Sequence, residues 1–88
     1  MIRKEFTVRN KLGLHARAAA KIVQTSSQFQ SSILIIKNGR EADAKSMLDI
    51  MTLSCPQGTR IELCAEGKDA AEALAALAVL FYNKFGEE

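Results

Sequence analysis

Ser32-Ile33-Leu34-Ile35-Ile36-Lys37-Asn38-Gly39-Arg40-Glu41-Ala42-Asp43 is the stretch that decides the fold. Ile33 to Ile36 is an apolar, largely β-branched run, which reads as a buried strand. Asn38-Gly39 follows it and is the strongest short hairpin signal, because a two-residue turn needs positive φ at both central positions. Arg40 to Ala44 therefore pairs back as a short antiparallel strand. Outward from this hairpin, two further segments alternate with period two. In Ile2 to Arg9, the residues Ile2, Phe6 and Val8 share a face with Lys4, opposite Arg3, Glu5, Thr7 and Arg9. In Arg60 to Glu66, Ile61, Leu63 and Ala65 oppose Arg60, Glu62 and Glu66. Both read as half-buried strands.

The segments between the strands have helical spacing. Ala16 to Ser27 carries a stripe of Ala16, Ala19, Ala20 and Val23, with Arg17, Lys21 and Gln24 on another face. Ser46 opens a short second helix, with Asp49 three residues on in a capping-box-like arrangement, and Cys55-Pro56-Gln57-Gly58 breaks it. After Gly67, Asp69 is a good N-cap and Glu72 completes a capping box. The last helix has the stripe Leu74, Leu77, Ala78, Phe81 and Phe85. The order β-α-β-β-α-β-α predicts an α+β fold, one sheet of about four strands with its helices on one face. The polar sides of the outer segments fit a sheet with one face in solvent. A ferredoxin-like arrangement buries the same stripes, and pattern alone does not choose between the two.

Composition bounds the function. A chain of 88 residues holds one domain, taken as residues 1–88. Apolar residues at 48% and charged residues at 25% are those of a globular protein. No apolar run nears the roughly 20 residues of a membrane span, and Met1 to Glu5 lacks the apolar core of a secretion signal. Cys55 and Cys64 form neither a disulfide framework nor a zinc-ligand spacing. These features predict a cytoplasmic chain with free thiols, no metal and no cofactor. The net charge of +2 comes from 12 basic and 10 acidic residues, interspersed without a basic run. That disfavours nucleic acid as a partner, and Ile33 to Ile36 offers no aromatic to stack on bases. A small anion at one local basic spot fits better.

That spot is Asn10-Lys11-Leu12-Gly13-Leu14-His15-Ala16-Arg17, which holds the chain's single histidine. A helix starts just after His15, and a helix N-terminus offers unpaired N–H groups and partial positive charge to an anion. Arg17 adds a planar guanidinium within reach. The set suits a phosphoryl group carried on a neutral imidazole, since phosphoryl transfer needs mainly positioning and charge stabilisation. The plainer reading has His15 merely preceding the helix and Arg17 solvated. A second segment, Lys45 to Leu53, has too many apolar positions for a short helix with one buried side. Ile50 and Leu53 face the core, while Met47, Leu48 and Met51 are either a docking patch or further core. Ser46 is the N-cap on the plain reading and a phosphorylation switch beside the patch on the sharper one.

With these residues in place, the sequence resembles the histidine-containing phosphocarrier family, HPr, of the bacterial phosphotransferase system. The resemblance spans essentially the whole chain and rests on Asn10 to Arg17 and on Lys45-Ser46-Met47-Leu48. It implies an open-faced β-sandwich of four antiparallel strands under three helices. It also implies that His15 accepts a phosphoryl group on Nδ1 from enzyme I and passes it to an enzyme II A component for sugar uptake. Arg17 steadies that group, and Ala16, Arg17, Ala20, Met47, Leu48 and Met51 dock both partners. A serine kinase or phosphorylase would act at Ser46, and the carrier role expects a monomer. Two positions depart from the family pattern. Ala18 replaces the usual proline after His-Ala-Arg, giving up a pre-set helical turn. Asp49 replaces a common glycine and puts a carboxylate near any phosphoserine at Ser46. Two alternatives are a regulatory or nitrogen-branch paralogue and an interaction module in which His15 is never modified.

Overall fold

Asn38 and Gly39 take φ of 51° and 80°, so the hairpin turn forms where the sequence places it. Lys37 pairs with Arg40 across it. The computed structural model describes residues 1–87. Its elements are β1 (Ile2–Thr7), α1 (Ala16–Ser26), β2 (Ser32–Lys37), β3 (Arg40–Asp43), α2 (Met47–Thr52), β4 (Arg60–Glu66) and α3 (Ala70–Tyr82), then a 3-10 turn at Lys84–Gly86. The strands form one sheet in the order β1-β4-β2-β3. All three pairings are antiparallel, as they are in a ferredoxin-like sheet too, so the strand order decides: β1 and β3 are the two edges here, whereas a ferredoxin-like sheet sets them side by side, and the open-faced sandwich is the architecture.

The helices cover one face of this sheet. Ile33, Ile35, Ile61, Leu63, Phe6 and Val8 point into the core, where they meet Ala18, Ala19 and Ile22 of α1 and Leu74, Leu77 and Phe81 of α3. Phe81 stacks on Phe6 and meets Phe85 edge-on, with both pairs of ring centroids 5.1 Å apart. The other sheet face carries cross-strand ion pairs, Arg3 to Glu62 at 3.2 Å and Arg60 to Glu5 at 3.4 Å. Among the described residues no helix is long and apolar enough to cross a membrane.

Five local expectations are corrected. The buried stripe of α1 is Ala18, Ala19, Ile22 and Ser26, so Ala16 is exposed and Ala20 and Val23 are half-buried. Contact with both the sheet and α3 turns the helix by more than the alanine spacing suggests. Ile2 and Lys4 are exposed. Lys4 instead lays its ammonium 5.6 Å from the Phe6 ring and 5.7 Å from Tyr82. Leu34 and Ile36 are half-buried, since β2 is covered by helices on one side only. Asp69 makes no side-chain cap. Its carboxylate accepts instead from the Gln30 and Ser31 amides at 2.9 and 3.0 Å and from the Ser31 hydroxyl, tying the entry of β2 to α3. Finally, α3 stops at Tyr82, and Phe85 reaches the core from a left-handed turn with φ 57°.

Candidate functional site

The loop before α1 is fixed from three sides. The Gly13 amide donates to Asn10 O, the Leu14 amide to Cys55 O, and the Asn10 side-chain amide to Gly13 O at 2.8 Å. Gly13 has φ 68°, and a Cβ there would lie 2.4 Å from Cys55 O and 2.8 Å from Pro56 Cα. Only glycine permits this approach. Leu14 is buried, and the chain then turns directly into the helix.

His15 is the N-cap residue of α1, in extended backbone with φ −80° and ψ −177°. Its carbonyl accepts from the Ala19 amide at 2.8 Å, while its side chain makes no cap. No acidic side chain occupies the first turn. Among the described residues no side-chain oxygen caps the leading N–H groups of α1, which carry the partial positive charge of a helix start. The His15 side chain is 27% exposed, open to an incoming macromolecule. It lines a shallow depression with Lys11, Leu12, Ala16, Arg17 and Glu87. The structure thus brings His15, Ala16 and Arg17 together with Lys11, a second cation.

The sequence reading missed Asn10 and Glu87. His15 Nε2 lies 2.5 Å from Glu87 Oε2, and the other oxygen of that carboxylate accepts from Asn10 Nδ2 at 3.0 Å. Asn10 is wholly buried. Its hydrogen bond is the main cause holding the Glu87 carboxyl below the ordinary carboxylate range. Partial burial opposes this, and His15 and Lys21 add to the lowering. The tail that delivers Glu87 is itself anchored, by the buried Phe85 ring and by Lys21 Nζ donating to Phe85 O at 2.5 Å. No local pattern signals a pairing across 72 residues of sequence. Leu12, 69% exposed beside His15, had a signal: an apolar residue in a polar loop.

In α2, Ile50 and Leu53 are buried, whereas Met47, Leu48 and Met51 are 38%, 75% and 45% exposed. Because α2 packs against α1, this apolar surface belongs to the same helical layer as His15. Ser46 caps α2, its hydroxyl accepting from the Asp49 amide at 3.2 Å. The reciprocal half of the capping box is absent: the Asp49 carboxylate accepts from the Asp43 amide instead. Cys55 and Cys64 are buried and free, and burial pushes both thiols up. Among the described residues no group of three His, Cys, Asp or Glu could hold a metal ion.

An uncapped helix start, an accessible imidazole and an arginine on a small open-faced sandwich define a class of small domain whose chemistry suits an anion. A family model described as "PTS HPr component phosphorylation site" matches residues 2–83, so the chain belongs to the HPr family of phosphotransferase-system phosphocarriers. The phosphocarrier protein HPr of Xylella fastidiosa is 50% identical over 88 residues, covering all of this chain and 99% of that protein. The phosphocarrier protein NPr of Shewanella violacea is 40% identical over 86 residues, 98% of this chain and 94% of its own. Among solved structures, HPr from Thermoanaerobacter tengcongensis superposes with a TM-score of 0.97 at 46% identity, over 100% of this chain and 99% of that one.

Proposed function

We propose that the chain works as a single domain in the cytoplasm, carrying a phosphoryl group on His15. Phosphorylated enzyme I donates the group, and an enzyme II A component of a sugar permease receives it. The observation that carries this reading is His15 at an uncapped α1 start, accessible and sharing its depression with Arg17 and Lys11. The first-turn amides and Arg17 meet the phosphoryl oxygens once the group arrives. Ala16, Arg17, Ala20, Met47, Leu48 and Met51 form the surface on which donor and acceptor dock in turn, and a monomer suits that alternation. A serine kinase or phosphorylase acts at Ser46 at the edge of this surface, where the charge of Asp49, three residues on, opposes an added phosphate.

A regulatory-branch role has one observation behind it, the 40% identity to an NPr, against 50% to an HPr. The test is incubation with phosphoenolpyruvate and either sugar-branch or regulatory-branch enzyme I, followed by mass spectrometry. The expected result is an acid-labile gain of one phosphoryl group with the sugar-branch donor, absent in His15→Ala. Uptake only from the regulatory donor reassigns the branch. No uptake from either sinks the carrier reading in favour of an unmodified interaction module.

A further inference from the structure

We propose that Glu87 is a positioning residue for phosphoryl transfer, held by Asn10 so that it fixes the His15 ring through Nε2 and shares the charge that the ring acquires. This rests on the phosphoacceptor reading of His15. The carboxylate has no proton to give, so the short Nε2 to Oε2 contact requires the proton on Nε2. In the neutral ring Nδ1 then keeps its lone pair and is the nitrogen free to attack. One oxygen of Glu87 is taken by Asn10, which leaves the other aimed at the ring. Asn10 is held in turn by Gly13 O, in the loop that carries His15. Phe85 and Lys21 clamp the tail from the other side. Loop, ring and carboxylate thus form one closed frame.

The frame matters during the reaction. The Nδ1 lone pair forms a bond to the phosphorus carried on phosphorylated enzyme I. The bond from phosphorus to the donor atom breaks, and its electron pair returns to that atom. The proton on Nε2 stays in place, so the His15 ring becomes cationic as the new bond forms. A fixed carboxylate on Nε2 stabilises that charge, as the buried aspartate does for the histidine of a serine-protease triad. The cations Lys11, Arg17 and Lys21 face the same region and serve the incoming phosphoryl oxygens and the carboxylate, and among the described residues Glu87 is the anion on the ring.

The test compares the wild type with Glu87→Ala and Glu87→Gln, each labelled with nitrogen-15 in the His15 ring. At a pH where the imidazole is neutral, ring shifts of the wild type show Nε2 protonated and Nδ1 bare, whereas Glu87→Ala shows the two tautomers averaged. With phosphoenolpyruvate and enzyme I, Glu87→Ala loses about tenfold in kcat, the size of one charge-assisted hydrogen bond, with KM unchanged. Glu87→Gln still accepts from Nε2, so it keeps the tautomer and recovers part of the rate. Wild-type kcat and wild-type ring shifts in Glu87→Ala overturn the assignment, as does a change confined to KM, which marks docking. A wild-type chain that takes up no phosphoryl group overturns the phosphoacceptor reading itself. Normal wild-type uptake with unaltered variants overturns the role of Glu87 alone.

Discussion

Replacing Gly13 by alanine tests how the loop that carries His15 is held. The backbone at Gly13 has φ 68°, a conformation that a residue with a Cβ adopts at a penalty of about 1 kcal/mol. The new Cβ would also lie 2.4 Å from Cys55 O and 2.8 Å from Pro56 Cα. Both atoms are backbone, so no side chain can swing away, and the loop itself must move. Overpacking of this kind costs about 2 kcal/mol. The expected loss is therefore about 3 kcal/mol, which lowers Tm by about 15 °C in a domain of this size. Gly39→Ala is the control. Its φ is 80°, but nothing lies within 4 Å of its Cβ, so only the conformational penalty of about 1 kcal/mol remains. Thermal and urea unfolding of the two variants separates the clash from the strain. Equal destabilisation would refute the close approach of the loop to Cys55 and Pro56, and with it the account of how His15 is placed.

Three other outcomes are expected. Hydrogen bonds from the Ser31 hydroxyl and the Gln30 amide hold the Asp69 carboxyl below its ordinary value of 3.8. A depressed folded-state value stabilises the protein above 3.8 and is lost as pH falls through it, so Asp69→Asn should flatten the acid limb of urea midpoints measured against pH. Met51→Glu should weaken binding to enzyme I in a titration while leaving Tm nearly unchanged, whereas Ile50→Ala, wholly buried, should lose about 3 kcal/mol of stability. Ser46→Ala removes the α2 cap and should lose about 1 kcal/mol in urea unfolding, and an unchanged midpoint would contradict the hydroxyl's bond to Asp49.

Features that depend on near neighbours in sequence were legible there. Asn38-Gly39 specified a turn because positive φ is a local demand, and Ser46 specified a cap because its partner is three residues away. The placement of His15 and Arg17 was legible for the same reason: both stand at the start of one helix. What escaped was set by distant neighbours. The alanines of α1 surround much of the helix, so which of them are buried depends on where the sheet and α3 lie. Asp69 satisfies the helix-cap pattern, yet three donors at residues 30 and 31 take its carboxylate. Glu87 carried no pattern, and Asn10 stood in the His15 motif without a role, since a polar tail and a polar loop become a frame for the ring only after Phe85 is buried.

The strand order has a consequence for synthesis. β4 lies between β1 and β2, pairing Phe6 with Ile61 on one side and Ile35 with Leu63 on the other. Until residues 60–66 leave the ribosome, the earlier strands have no common partner, and the hairpin of β2 and β3 stands by itself. An isolated hairpin is marginal in water. Translation must therefore pass residue 66 before a stable sheet can close, and the nascent chain exposes Ile33 to Ile36 until then. Contacts of such long sequence separation fold slowly, so this interval is when the polypeptide most needs a chaperone.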